Sequence, residues 1–592
     1  MLWLMSGTFL SGCTGTRHLE GGDRFYTGAD IEIESTDKVS HRKTLLTTLE
    51  QVLHPEPNEK LLGSRPKVWF YHLAGTPSKE KGLKHWIKNK LGHPPVLMDQ
   101  ADPEHTRILL LNRLHNRGYF DATLKYEIIL KKKSAHINYL AKVNEPYRIK
   151  KLYYPPKVGA LRTSIDAIME TTLIKSGDPY NLNILLKERK RIDDELKNRG
   201  FYFFSPDYLS FKADSTAGKR EVDLYLSVKD DIPLIAARPQ RINTIRIDPD
   251  YDISDPSSDG PQIIANNFKD KNYRFVFEKP KFKPQVIIKS IYLRKGILYD
   301  AMDHQATINR LMGLGAFKFI NVRFQEDSIL NNNLNAEIQL TPMLKKSLRF
   351  EADLVAGSNN FIGPEISINY CNRNSLQGAE LFIISLNGGF ETQVSGQGQP
   401  SNSFEFGIQT GLYIPRYISP IKIRARPGFP PQTVFEIGYS YLHRPQFFTL
   451  NSFRLSYGNR KHRHRLSPIE INLVKPLNTT KEFDELLVNN DFLKQSYEEQ
   501  FILGGSYTYR YTSPFTTPGQ IRFSGNVELS GNMINAAQRI SSKSEGPNEV
   551  LGQIYSQYTR LEAEWRYLYG FGKSNRLAAR LLLGSGFHMA TP

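Results

Sequence analysis

From about residue 346 onward, apolar and polar positions alternate in one short segment after another. Leu348, Phe350, Ala352 and Leu354 are apolar, and Arg349, Glu351 and Asp353 between them are charged. The same alternation sets Ile521, Phe523, Val527 and Leu529 against Arg522, Ser524, Asn526 and Glu528. Leu561, Ala563, Trp565 and Tyr567 are likewise set against Glu562, Glu564 and Arg566. Side chains point to opposite faces along a strand, so each segment predicts a β-strand with one apolar and one charged face. Eleven such strands are expected, near 346–356, 361–371, 378–391, 403–413, 432–442, 449–458, 464–474, 500–511, 519–530, 556–568 and 575–587. A soluble sandwich alternates too. Here the charged face carries both signs, the apolar face is rich in aromatics, and no helical crossover intervenes, which points to an antiparallel transmembrane β-barrel with a polar lumen.

The first 340 residues follow another rhythm. Arg113-Leu-His-Asn-Arg-Gly118-Tyr119-Phe120, Glu195-Leu-Lys-Asn-Arg-Gly200-Phe201-Tyr202 and Arg310-Leu-Met-Gly-Leu-Gly315-Ala316-Phe317 share one design. Each predicts a helix stopped by a glycine in the left-handed conformation, with an aromatic residue opening the next strand. Around these turns three units can be laid out. The first has a strand at 30–34, helices near 41–53 and 104–116, strands at 119–130 and 136–143, and an extra segment at about 60–98. The second has strand 148–153, a helix near 183–198 and strands near 208–212 and 220–228. The third has strand 242–247, helix 303–312 and strands 317–324 and 334–340. Residues 254–267, rich in Asp, Ser and Pro, read as a surface insertion.

Composition adds few constraints. Mean hydropathy is −0.44, and no apolar run reaches the ~18 residues of a spanning helix. A barrel escapes that test because only alternate residues meet lipid. The 78 Lys and Arg exceed the 60 Asp and Glu, but the excess is scattered (Lys131–Lys133, Lys187–Arg191, Arg460–Arg465). Anionic lipid is therefore at least as plausible a partner as nucleic acid. Of the two cysteines, Cys371 has no nearby partner in sequence. Cys13 ends an apolar run in Leu10-Ser11-Gly12-Cys13, which resembles a bacterial lipobox, with acylation expected at the thiol and cleavage just before it. The first basic residue is Arg17, so the true start of translation is expected upstream.

Catalytic motifs are missing: there is no HExxH, Walker A or GxSxG pattern. His462 and His464 are flanked by basic residues that repel a metal cation. Arg560, Glu562, Glu564 and Arg566 read as a solvated luminal ion ladder rather than acid–base catalysts. Gly388-Gly389 and Gly504-Gly505 lie in predicted strands and give curvature. No enzyme, cofactor or metal is expected.

Three tandem β-α-α-β-β units ahead of a barrel resemble the outer-membrane assembly superfamily of BamA and TamA. The count of three and the lipobox make the chain most similar to the lipoprotein version of the translocation and assembly module subunit. The resemblance implies an α+β fold of POTRA repeats followed by a barrel of 16 strands. About eleven of these are expected here, the motif-bearing lumen loop and remaining strands falling past Pro592. It implies these bounds: 1–13 signal peptide, 27–144, 145–231 and 240–343 POTRA domains, and 344–592 the N-terminal part of the barrel. It further implies an outer-membrane location with periplasmic POTRA domains and a lipid anchor at Cys13. The strand Leu348–Leu354 would form one side of a weak seam. Implied partners are unfolded outer-membrane or surface clients, an elongated periplasm-spanning protein similar to TamB, and outer-membrane lipid, but no nucleic acid. Two other readings remain open: a two-partner-type secretion pore, and a passive porin or adhesin with periplasmic domains.

The lipobox carries the first prediction. Each buried CH₂ of an acyl chain contributes about 0.8 kcal/mol, yet a barrel holds itself in a membrane. Cys13→Ser is therefore expected to abolish palmitate labelling and N-terminal processing while leaving membrane residence nearly unchanged. Labelling that persists in the variant refutes acylation at Cys13.

Overall fold

A computed structural model describes residues 19, 21–35, 42–60, 64–76, 82–154, 159–216, 218–253, 273–276, 280–327, 332–357, 361–394, 402–418, 431–445, 447–461, 463–488, 490, 499–514, 519–532, 534–535, 538, 549–550, 553–571 and 575–588. The lipobox residues Leu10, Ser11, Gly12 and Cys13, the insertion at 254–267 and His462 lie outside the described residues. The chain divides into two compact units, Met1–Pro239 and Gln240–Pro592.

The first unit holds two small sheets of identical topology. The first comprises β1 (Phe25–Glu34), α1 (Arg42–Glu50), α2 (Pro66–Ala74), α3 (Leu83–Trp86), α4 (Pro103–His115), β2 (Thr123–Lys131) and β3 (Ser134–Lys142). The second comprises β4 (Arg148–Tyr153), α5 (Ala160–Asp166), α6 (Leu182–Lys197), β5 (Leu209–Asp214) and β6 (Glu221–Val228). In each, the last strand sits centrally, parallel to the first and antiparallel to the middle one. Alternate residues of β3, namely Ala135, Ile137, Tyr139 and Ala141, are buried, the last three in one core with Leu45, Leu49, Leu110 and Leu114 of α1 and α4. Pro103 opens α4 and Asp102 caps it, its carboxylate accepting from the His105 N–H at 2.9 Å. In the second sheet, Glu188 of α6 is buried. Burial alone would raise its carboxyl, but the Arg191 guanidinium, the Leu173 N–H and the Thr172 hydroxyl reverse the shift and hold it below the usual carboxylate range. This cluster ties the stretch between α5 and α6 to the helix that follows it.

The second unit opens with β7 (Arg241–Asp248), β8 (Tyr273–Phe275), α7 (Pro284–Ile288), α8 (Ala301–Met312), β9 (Phe317–Glu326) and β10 (Asn333–Pro342). The pattern recurs: β7 runs parallel to the central β10, and β9 antiparallel to it. The added edge strand β8 was not expected. It is three residues long, too short to show any alternation.

An eleven-stranded antiparallel sheet follows: β11 (Lys346–Ala356), β12 (Phe361–Asn372), β13 (Leu381–Gln393), β14 (Asn402–Ile414), β15 (Gln432–Arg444), β16 (Phe448–Lys461), β17 (His464–Leu477), β18 (Gln500–Thr512), β19 (Gly519–Ser530), β22 (Tyr558–Phe571) and β23 (Asn575–His588). The connection after β17 carries α9 (Lys481–Val488), and that after β19 the hairpin β20 (Glu549–Val550) with β21 (Gln553–Ile554). Each strand pairs with its neighbour in sequence, and all eleven fall where the alternation predicts them.

The helix-ending turns have positive φ at Gly118 (88°), Gly200 (103°) and Gly315 (67°). In the first two, the residue after the glycine donates its N–H to the carbonyl five residues back, Tyr119 to Leu114 and Phe201 to Leu196, both at 3.1 Å. This is the Schellman arrangement, in which the residue after the glycine packs beside the helix's last apolar residue. Tyr119 with Leu114, and Phe201 with Leu196, share a core accordingly. The expectation that the aromatic opens the next strand therefore fails twice: β2 starts at Thr123 and β5 at Leu209. Only Phe317 opens its strand.

At Gly118 a second demand is added. Its carbonyl accepts from the Tyr147 N–H at 2.8 Å, and a Cβ there would meet the Tyr180 carbonyl at 3.0 Å and that of Tyr147 at 3.2 Å. Phe120 packs its ring 5.0 Å from those of both tyrosines. The turn is thus also the joint between the first two repeats. A Cβ at Gly315 meets nothing within 4 Å. Gly315→Ala is expected to cost only the backbone term, about 1–2 kcal/mol, and Gly118→Ala to lower the melting temperature of its domain further. Equal melting shifts in the two variants, followed by circular dichroism, would show that the joint imposes no packing constraint.

Candidate functional site

The large sheet keeps its two faces apart across many strands. Phe350, Ile368, Leu386, Ile408, Tyr439, Phe453, Leu473 and Phe501 form one continuous row of direct cross-strand neighbours over eight strands. The adjoining row on the other face reads Arg349, Asn369, Ser385, Gln409, Gly438, Arg454 and Asn472. The apolar face is exposed: Phe350 by 64%, Ile437 by 50%, Trp565 by 39% and Leu583 by 55%. A contiguous apolar surface of this width suits lipid rather than water. The polar face carries its own bonds, with Ser385 donating to Asn369 at 2.6 Å, Tyr413 to Glu436 at 2.9 Å and Thr508 to Asn526 at 2.8 Å. The ion ladder on β22 consists of Arg560–Glu562 at 2.6 Å and Arg566–Glu564 at 2.8 Å, with Arg580 of β23 also on Glu564.

The segment Leu348–Leu354 lies on β11, the first strand of the sheet order, paired only with β12 among the described residues. Its apolar members protrude: Leu348 is 71% and Leu354 74% exposed. The turn residues Gly118, Tyr119, Phe120, Gly200, Phe201, Gly315 and Phe317 lie in the small domains. Gly315 and Phe317 share a compact unit with Leu348–Leu354, and the other five belong to the first unit.

Sequence reasoning missed the turn between β12 and β13. There Asn374 donates its Nδ2–H to the Lys281 carbonyl at 2.7 Å and accepts from the Ala379 N–H at 3.1 Å. The Lys283 N–H donates to the Gln377 carbonyl at 2.7 Å. Buried Glu380 accepts from the Gly378 N–H at 2.8 Å and the Leu376 N–H at 3.2 Å. Arg373 reaches to the foot of β11: its N–H donates to the Lys345 carbonyl and its guanidinium to the Ser347 hydroxyl at 3.0 Å. One turn thus holds both the third repeat and the base of the edge strand. Two non-glycine residues in it, Gln377 and Ala379, have φ of 62° and 59°. Such strain, of order 1–3 kcal/mol each, persists only where the surroundings fix the backbone. The available sequence signal was the Asn and Gly content of 372–378, which marks a turn but not what it grips.

A second edge lies in the first repeat. Among the described residues, β2 pairs only with β3. Its residues Tyr126, Ile128, Ile129 and Leu130 are 36–56% exposed. An unpaired backbone edge flanked by apolar side chains is a template for an incoming strand. Among the described residues no group of three His, Cys, Asp or Glu side chains is placed to hold a metal ion, and Cys371 is a free thiol. Among the described residues, no helix is long and apolar enough to cross a membrane.

No protein-family profile matches the chain, and no curated protein matches it. Among solved structures it is similar to BamA POTRA domains 3–5 of Haemophilus influenzae, at 12% identity over 54% of this chain and 98% of that one, with a TM-score of 0.27. BamA of Haemophilus ducreyi lacking POTRA domains 1–3 gives 9% identity, 74% and 100% coverage and a TM-score of 0.29. CdiB from Acinetobacter baumannii gives 11% identity, 75% and 80% coverage and 0.27. At such TM-scores these likenesses decide neither the fold nor the role.

The grip of the β12–β13 turn is open to test. Asn374→Ala strands the Lys281 carbonyl and the Ala379 N–H, at a cost of about 1–3 kcal/mol for each buried group left unpaired. Amide exchange around 281–290 and 344–348 is expected to rise roughly tenfold or more, since about 1.4 kcal/mol is a factor of ten. Unchanged exchange in both segments would show that the turn does not brace them.

Proposed function

We propose that this protein is an assembly or translocation factor of the outer membrane, of the BamA and TamA superfamily, closest in kind to the lipoprotein version of the translocation and assembly module subunit. The observation that carries the reading is the two-faced eleven-stranded sheet following three small domains of one shared topology. The sheet spans the bilayer, and the small domains stand in the periplasm with a lipid anchor at Cys13. Clients are unfolded outer-membrane or surface proteins, and an elongated periplasmic partner delivers them to the first repeat, where the β2 edge accepts an extended strand.

Insertion takes place at the free edge of β11. Hydrocarbon offers no water to an unpaired N–H or C=O, so an open edge in lipid costs several kcal/mol per group. A client strand that pairs with Leu348–Leu354 removes that cost and leaves the aqueous phase in one event. No nucleotide is consumed; burial of the client's own apolar face drives the step. Three repeats rather than two favour this role over a dedicated secretion pore.

The test staples the edge. A cysteine at Asp353, disulfide-bonded to a second cysteine on the strand that closes the proposed seam with Leu348–Leu354, is expected to leave the protein folded in the membrane. It should lower outer-membrane protein levels as severely as depletion does, with recovery on reduction. Normal levels with the edge fully crosslinked would exclude the gate and favour a passive pore.

A further inference from the structure

Six successive strands each contribute one arginine to a single row across the polar face of the sheet: Arg460, Arg465, Arg510, Arg522, Arg566 and Arg580. Their adjacency follows from the register. Arg460 stands directly opposite Arg465, Arg522 opposite Arg566, and Arg566 opposite Arg580. Arg465 faces Thr508, one diagonal step from Arg510, and Arg510 faces Ser524, one diagonal step from Arg522. Like charges directly opposite destabilise a sheet, and here three such pairs line up.

Most carboxylates on this face make their bonds off the row. Glu436 accepts from the Tyr413 hydroxyl, Glu470 from that of Ser506 at 2.9 Å and Glu528 from that of Tyr558 at 2.5 Å, and Glu562 pairs with Arg560. Among the described residues, only Glu564 forms ion pairs with the row, through Arg566 and Arg580. Among the described residues, Arg460, Arg465, Arg510 and Arg522 make no ion pair. Beside Arg522, Arg566 and Arg580 lies a cavity of about 260 Å³, also lined by Gln520 and Ala578. The row belongs to the half of the sheet near the turns after β16, β18 and β22, the same end from which β11 leaves the third repeat.

We propose that this row is a binding surface for an acidic, extended polypeptide segment. Three features select that occupant. The positive surplus calls for carboxylates, and guanidinium forks pair with them bidentately. Strands about 4.8 Å apart give the row a length of roughly 24 Å, the span of about seven extended residues. The row also lies opposite the apolar face that carries Phe523, Trp565 and Tyr567, so a lipid in the bilayer cannot reach it. The inference rests on the reading of the polar face as a barrel lumen. It does not depend on the β11 gate: a client or domain segment held here would be retained at the mouth whether or not the edge opens.

The test uses the full-length protein in detergent and fluorescein-labelled peptides of eight residues, alternating Asp and Ser, Asn and Ser, or Lys and Ser. The Asp peptide is expected to bind, weakening with salt, and the other two not to bind. Arg465→Gln, Arg522→Gln and Arg566→Gln should each weaken binding about threefold, the scale of an exposed ion pair, and together about thirtyfold. Arg→Lys at the same positions, which keeps the charge but loses the fork, should restore it in part. Heat-modified gel migration reports whether each variant still forms its barrel. In any variant that does not, iodide quenching of a dye at Asn526→Cys in the otherwise unaltered row replaces it; protection by the Asp peptide supports the site and none opposes it. Equal binding of the Asn peptide, or Gln variants that bind normally, overturns the proposal. Capture of phosphatidylglycerol nanodiscs by the row, without peptide binding, overturns it in favour of a lipid site.

Discussion

The structure depends on strand register. A sheet destined for hydrocarbon must pair its backbone groups within itself, since none can turn to water. It must also hold one face apolar over its whole width. Both demands are met by the same alignment: the row from Phe350 to Phe501 crosses eight strands without once passing to the other face. A slip of one residue anywhere would turn the apolar face of a strand to the polar side. Where β17 shifts register against β16 and β18, an extra residue between Ser467 and Glu470 keeps Arg465, Ser467, Glu470 and Asn472 on one side. Such bulges also bend and twist the strand locally.

The third repeat gains its place in this scheme through the foot of β11. Met343 donates its N–H to the Ala316 carbonyl, tying the linker to the glycine turn that ends α8. Arg373 takes the next residues of the same linker. The β12–β13 turn grips the Lys281–Lys283 stretch from the other side. Any displacement of that stretch is therefore felt at Lys345–Ser347, where the strand whose edge is free begins. The buried polar groups of this turn are nearly all satisfied by backbone partners, which resists partial opening: losing one bond exposes the rest.

Elements whose cause is local were legible in the sequence. The eleven strands follow from alternation alone, and the helix ends follow from a glycine after a run of good helix formers. What was not legible depends on contacts distant in the chain. The grip of Asn374 on Lys281 links residues 93 apart, and nothing near Asn374 announces it. The exposed β2 edge depends on which strand ends up central, and a list of strands does not say. Two of the three aromatics were assigned to the wrong element, because Tyr119 and Phe201 answer to the helix behind them rather than the strand ahead. The six arginines stand at uneven spacings, and only the register shows that they are neighbours.

An edge strand of this kind transmits more than hydrogen bonds. A strand pairing antiparallel with Leu348–Leu354 meets direct partners whose side chains point to the same face as its own. If its alternation matches, its apolar residues extend the row of Phe350 and its polar residues extend that of Arg349. If it is out of phase by one residue, it must set charges beside Phe350 and Leu354 in lipid, which costs about 2–4 kcal/mol for an Arg or Lys at mid-bilayer. The edge thus discriminates by phase and needs no sequence code. Under the proposed assembly role, this suits clients that share an alternating pattern and little else. The selective element is then the two-faced register of the sheet itself, carried to its last unpaired strand.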